Sequence, residues 1–296
     1  MIAFVGVATA PWVFSILLRL FGDRLDRHLS PGWAVVGVSA LSALSAAAVV
    51  ASSIAVSAVL LSASSWPPRV AGAVLAIWLV WRVAVSAMHL RRVAATARRS
   101  APFGRTARAT DGVVVVESSD PDAFAVPSGG GAIVMTTALM SALSDAEIGA
   151  VLDHERAHLR YRHAFWTQAA EVSALLDPFA RPVVARVRHA AERHADECAA
   201  DAADRTTVMT ALARAALLRA DVARDRASYT VSGTGGDVVA RARALSGPPP
   251  VASRGTVVVA CAVVAAALIS LVVVLADVTQ DVIVPEAGES ATTILE

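Results

Sequence analysis

Hydrophobic positions gather in four long stretches. Ile2 to Leu18 carries no charge before Arg19. Leu29 to Pro68 contains no Asp, Glu, Lys or Arg, and Val70 to Leu90 is interrupted only by Arg82 and His89. Thr256 to Ala276 is free of charge up to Asp277. A bilayer core about 30 Å thick takes roughly 20 helical residues, so each stretch is long enough to cross, the first barely. The pattern predicts spans at about 2–18, 33–62, 70–90 and 256–276. Trp33 and Trp66 fit an interfacial aromatic belt around the second span, whose Ser-rich end is expected to continue beyond the bilayer. The first stretch has no basic residue ahead of it, which favours an uncleaved anchor over a signal peptide. Arg82 is expected to snorkel along the third span to its inner boundary at Arg91.

Between the third and fourth stretches the pattern changes. Val93 to Thr110 mixes Arg, Ala, Ser and Gly without a clean period and reads as part of a basic linker over 91–110. Val113–Val116, Ala123–Val126 and Ala132–Thr136 are short apolar runs separated by Asp120-Pro121-Asp122 and by Gly129 to Gly131, and they predict a small antiparallel sheet. Thr137 to Leu143 predicts a short helix. Ser144 and Glu147 then form a Ser-x-x-Glu capping box ahead of Ile148, Val151 and Leu152, so a helix is expected from Asp145 past His158. Phe165 to Leu176 predicts a core or membrane-surface helix ended by Asp177-Pro178, and Pro182 to Leu218 predicts one further helix. The Gly- and Pro-bearing stretch 228–255 reads as a flexible linker. The soluble domain is thus expected over 111–227.

Composition sharpens this picture. The chain is 56% hydrophobic and only 17% charged, with a net charge of +1. Disorder, collagen and a disulfide scaffold are excluded, and the near-neutral balance speaks against direct nucleic-acid binding. The 26 basic residues are all Arg, and they cluster at Arg19, Arg24 and Arg27 and again from Arg91 onward. The tail 277–296 carries acids and no Arg. The positive-inside rule therefore places the central domain in the cytoplasm and both termini outside. Cys198 and Cys261 have no metal or redox spacing.

The candidate chemistry lies on the capped helix, at His154-Glu155-Arg156-Ala157-His158. Two imidazoles four residues apart share a helix face and can reach one ion, with Glu155 placed to deprotonate a metal-bound water. Chance predicts on the order of 0.005 such motifs in a chain of this composition, so coincidence is a poor account. A catalytic zinc needs a third protein ligand and an open position. Position 164 is Ala, which excludes the metzincin His. Glu192 and Asp196, four apart, are the candidates downstream: one can bind the metal while the other accepts a ring N–H. His163 is expected to be structural, His194 to face solvent, Cys198 to be a small buried residue, and Glu197 and Asp201 to form a polar helix face.

H-E-R-A-H followed by E-x-x-x-D, with the strand Asp122-Ala123-Phe124-Ala125 upstream, resembles the gluzincin membrane metallopeptidases. More specifically it resembles the BlaR/MecR antirepressor group, with HtpX-like proteases as cousins. The similarity covers roughly Arg91 to Arg243, and the order of three spans, domain and one span fits the antirepressor group.

The resemblance implies a four-span α-helical protein of the bacterial inner membrane. Its cytoplasmic domain would be mainly α-helical, α+β and gluzincin-like. One Zn2+ per chain would be held by His154, His158 and Glu192, with Glu155 as general base and then acid, and Asp196 supporting a ligand. Ala123, Phe124 and Ala125 would form the strand edge that takes the substrate. The implied substrate is a protein of the winged-helix transcriptional repressor kind, with self-cleavage between Ser228 and Arg254. The alternatives are quality-control proteolysis and a non-catalytic signalling protein with a relict site.

Two departures stand out. Only residues 277–296 follow the last span, so β-lactam sensing by a C-terminal penicillin-binding domain is not expected. Neither Tyr161 nor Tyr229 sits in a motif that would assign it to the transition state.

Overall fold

The computed structural model describes residues 9–20, 29–107, 111–226, 235–248 and 262. The predicted fourth span, the acidic tail, residues 2–8 of the first span, residues 108–110 of the first linker and both ends of the second (228–234 and 249–255) lie outside them, apart from Ala262. The chain is mainly helical and divides into two compact units. One comprises residues 1–91, 167–187 and 252–296; the other comprises 92–166 and 188–251.

In the first unit, α1 (Thr9–Leu20), α2 (Pro31–Ser62) and α3 (Trp66–Ala107) carry the apolar stretches. Of these, α2 and α3 are long and apolar enough to cross a membrane. Pro31 starts α2 at a position where its missing N–H costs nothing. The Ser-rich end of α2 shows no break, and its serines turn inward: Ser39, Ser42, Ser45, Ser52, Ser53 and Ser57 are buried. Small residues let helices approach closely. At Gly72 a Cβ would meet Leu60 Cβ at 2.9 Å and the Ser57 carbonyl at 3.0 Å. The opposite face of α3, including Val70, Val74, Ile77 and Trp81, is exposed and apolar, as expected of a helix surrounded by hydrocarbon. The core joins Leu18, Val38 and Leu41 to Ala170, Ala174, Val183 and Val187.

Arg82 does not snorkel. It is 5% exposed, lies near the rings of Trp78 and Trp81, and donates from one guanidinium nitrogen to the Ala174 carbonyl at 3.0 Å. Residue 178 is a proline without an N–H, so that carbonyl has no helical partner and the arginine supplies one. Asp177, fully buried, accepts from the Ser15 and Ser45 hydroxyls.

In the second unit the stretch read as a linker is helical as far as Ala107, because its Ala and Arg residues are good helix formers. These last turns of α3 dock on the 3-10 turn Ser128–Gly130. Gly104 faces the Ser128 carbonyl with no room for a Cβ, and Gly129, at φ 69°, abuts the Ala101 carbonyl.

The strands β1 (Val113–Val116), β2 (Ala123–Val126) and β3 (Ala132–Thr136) match their predicted bounds, but the sheet is mixed rather than antiparallel. Its order is β1-β3-β2, with β1 parallel and β2 antiparallel to β3. The continuous apolar run of β3 is buried at every residue and takes the centre, which leaves β2 at an edge.

Around the sheet lie α4 (Thr137–Ala142), α5 (Asp145–Arg160), the start of α6 (His163–Leu176), the end of α7 (Arg181–Ala202), α8 (Arg205–Arg226) and α9 (Gly235–Leu245). The single helix expected over Pro182 to Leu218 is two. Asp204 interrupts it by accepting the Thr207 N–H as a new N-cap. The second expected linker contains α9, whose Leu245 is 2% exposed against Ala150, Ala199, Val208 and Ala211. Tertiary burial overrides the loose local composition there.

Candidate metal centre

The capping box forms as read: Ser144 Oγ accepts the Glu147 N–H, and Glu147 accepts the Ser144 N–H at 2.8 Å. Arg214 of α8 adds an ion pair to Glu147 at 2.9 Å. This fixes the start of α5, and two turns later His154 and His158 project from one face with their Nε2 atoms 3.2 Å apart. From α7, Glu192 presents Oε2 to His154 Nε2 and Oε1 to His158 Nε2, both at 3.6 Å. Donors bonded to a tetrahedral zinc at about 2.0–2.1 Å lie roughly 3.3 Å from one another. The three side chains therefore converge with the spacing that zinc requires, and among the described residues they form the one such cluster.

Asp196 is 2% exposed and accepts from His154 Nδ1 at 3.0 Å, which directs the other ring nitrogen toward Glu192. Both carboxylates are held by Arg241, a residue that sequence reasoning missed. Its Nε and one terminal nitrogen reach Asp196 at 2.8 and 2.6 Å, and the other terminal nitrogen reaches Glu192 at 2.9 Å. Arg241 sits on α9, inside the stretch read as linker. The only sequence signal was Leu245, one helical turn beyond it.

These contacts set the protonation pattern. Burial opposes charge on His154, yet hydrogen bonds to Asp196 and Glu192 outweigh it and raise the imidazole to about 9. Burial, reinforced by the neighbouring His154 charge, lowers His158 to about 4. Burial would raise Glu192 and Asp196, but their partners hold both at about 2: chiefly His154 and Arg241 for Glu192, and Arg241 and His154 for Asp196. Glu155 moves the other way. Burial pushes its carboxyl up to about 7, against the His154 charge and a hydrogen bond from the Ala125 backbone N–H.

That last contact joins the cluster to β2. A cavity of about 310 Å³ is lined by His154, Glu155, His158 and Glu192, by Ala123, Phe124 and Ala125, and by the apolar Leu139, Val151, Val208 and Leu212. The Thr136 N–H bonds the Asp122 carbonyl, so alternation turns the polar groups of Phe124 and Val126 toward β3 and those of Ala123 and Ala125 toward the open edge. On that edge the Ala123 N–H is taken by its neighbour's carboxylate, Asp122 Oδ1, at 3.0 Å.

His194 is not solvent-facing as expected. It is half-buried, with Nδ1 3.1 Å from His163 Nε2 and its ring 4.4 Å from that of Tyr161. Cys198 is half-buried beside Tyr161 and stands apart from the ligand cluster. Glu197 pairs with Arg205 at 2.7 Å instead of forming only a solvated face.

A helix bearing paired histidines, a carboxylate donor from a second helix and an acidic residue facing a strand edge is an arrangement shared with zinc peptidases. Consistent with this, Peptidase family M48 matches residues 87–179, a segment that holds the sheet and His154 to His158 and ends before Glu192. Over that segment the chain is similar to membrane-type M48 metallopeptidases, which are generally zinc-dependent. Searches of curated proteins and of solved structures find no match.

Proposed function

We propose that the protein is a membrane-anchored, zinc-dependent endopeptidase acting on a cytoplasmic protein. The reading rests on the convergence of His154, His158 and Glu192 in a cavity that also holds Glu155 and the open edge of β2.

Zinc, when bound, supplies Lewis acidity, acidifying a water and polarising a carbonyl. The chain's own residues do the rest. His154, His158 and Glu192 hold the one ion, and Asp196 fixes the ring of His154. Arg241 keeps both carboxylates ionised and in place. Glu155, held beside the ligand cluster and against the edge of β2, takes a proton from water and returns it to the leaving amine. An extended peptide adds to β2, where the Ala123 and Ala125 carbonyls accept its N–H groups, and a side chain enters the apolar end of the cavity.

The resemblance to the BlaR/MecR group favours a transcriptional repressor as substrate, together with self-cleavage between Ser228 and Arg254. The arginine distribution favours four spans in the bacterial inner membrane, with the catalytic unit cytoplasmic and both termini outside.

The test is Glu155→Gln in the full chain. The variant is expected to keep its zinc and lose cleavage by about 10²–10⁴-fold. Unchanged proteolysis sinks the reading. Comparing the two proteomes in the native host separates one accumulating repressor from the many membrane proteins expected of quality control.

A further inference from the structure

Behind the ligand cluster lies a second set of imidazoles that the proposed chemistry does not use. The chain leaves α5 through Tyr161 and Arg162, the latter in the left-handed region at φ 54°, and this turn brings His163 back against His158. His163 is 2% exposed. Its Nδ1 lies 3.1 Å from His158 Nδ1, and its Nε2 lies 3.1 Å from His194 Nδ1. The His158 and His163 rings meet edge to face, 4.8 Å between centroids at 88°.

Each of these contacts needs one protonated and one bare nitrogen. His158 faces Glu192 and His154 through Nε2, so as a metal ligand it carries its hydrogen on Nδ1. It then donates to His163 Nδ1. His163 is left with its hydrogen on Nε2 and donates to His194 Nδ1. The opposite direction would place a hydrogen on His158 Nε2, where no metal could bind. Ligation by His158 and the direction of the whole chain are therefore a single choice.

We propose that His163 is the positioning residue of His158, accepting its Nδ1–H and fixing ring and tautomer, with His194 anchoring His163 from the far side. This rests on the zinc-site reading and extends it. The two histidine ligands are supported by different chemistry: a carboxylate, Asp196, behind His154, and an imidazole chain behind His158. A histidine buried only to fill space would be replaceable by leucine without effect on the metal. A positioning histidine demands an acceptor at Nδ1, which the Oδ1 of asparagine can supply.

The test uses the full chain in detergent, with zinc affinity measured by chelator competition and ligand geometry by the visible spectrum of the cobalt-substituted protein. His163→Leu is expected to weaken zinc binding about 10–100-fold and to shift the cobalt bands, and His163→Asn to restore most of both. Independently of any variant, nitrogen-15 spectra of the zinc-loaded wild type should show His163 and His194 protonated on Nε2.

Wild-type zinc affinity and an unchanged cobalt spectrum in His163→Leu overturn the proposal, as does a His163 protonated on Nδ1. A wild type that binds no zinc overturns the functional reading as well, so the two failures are distinct.

Discussion

Arg241 and Asp196 are joined by two hydrogen bonds of 2.8 and 2.6 Å, and the same guanidinium reaches Glu192 at 2.9 Å. A candidate metal ligand and the residue that orients another are thus held by one cation from a helix forty-five residues further along the chain. Removing that cation leaves the buried Asp196 and the half-buried Glu192 sharing the single charge of His154, and breaking a buried pair in this way costs at most about 3–5 kcal/mol. Arg241→Ala is expected to destabilise the metal-free protein by an amount of this order, and the zinc-loaded protein by less, since the ion supplies positive charge to Glu192. Thermal melts with and without zinc check this. An equal loss in both states would mean that Arg241 acts elsewhere.

Protonation gives a second expectation. His154 holds a proton up to about pH 9 in the metal-free protein, and a ligand must give it up. Between pH 7 and 9, zinc affinity is expected to rise about tenfold per pH unit and then level off. Calorimetry in buffers of differing ionisation enthalpy should report about one proton released per zinc at pH 8. A pH-independent affinity would remove His154 from the ligand set.

The same groups shape acid stability. His158 and His163 are depressed to about 4 and about 3, the first by burial and the His154 charge, the second by burial and its imidazole neighbours. Unfolded, both take protons near pH 6.5, so their contribution is present above that value and lost as pH falls toward 3. Glu155, raised to about 7 by burial, works in the opposite sense and gains as pH falls toward 4.5. His154, raised to about 9, gains mainly between pH 9 and 6.5 and adds only a small further gain toward pH 5, where both states are protonated. Two imidazoles against one carboxyl leave a net loss, so the metal-free protein should melt at lower temperature at pH 5 than at pH 7.

What the sequence disclosed was local, and what it hid was remote. The capping box of Ser144 and Glu147, the His154–His158 spacing and the three strands are encoded within a few residues of themselves, and each forms where it was read. The pairing of β1 beside β3 depends on which strand can be buried on all sides, a choice made over twenty residues. Arg241 was invisible because α9 follows a Gly-rich run and owes its formation to the burial of Leu245 and to ion pairs with α7. Arg82 pointed inward for a similar reason, since the carbonyl it satisfies is orphaned by a proline ninety-six positions later.

That carbonyl yields a further test. Arg82→Leu keeps the apolar volume but leaves the Ala174 oxygen unpaired, a penalty of about 1–3 kcal/mol. Arg82→Lys retains a donor and should lose less. If both variants unfold in detergent at the wild-type temperature, the hydrogen bond contributes nothing.

The helical extension of α3 is testable at one atom. A Cβ on Gly104 would lie inside contact distance of the Ser128 carbonyl and 2.7 Å from the Gly129 carbonyl carbon, both backbone and neither able to rotate away. Overpacking of this kind costs about 1–3 kcal/mol, and here relief requires separating α3 from the turn that leads into β3. Gly104→Ala is therefore expected to lower the melting temperature and to expose the stretch 92–111 to limited proteolysis, whereas Gly149→Ala, a helical glycine where a Cβ meets open space, should lower neither. A Gly104→Ala protein as resistant as wild type would mean that this stretch is the linker its composition suggested.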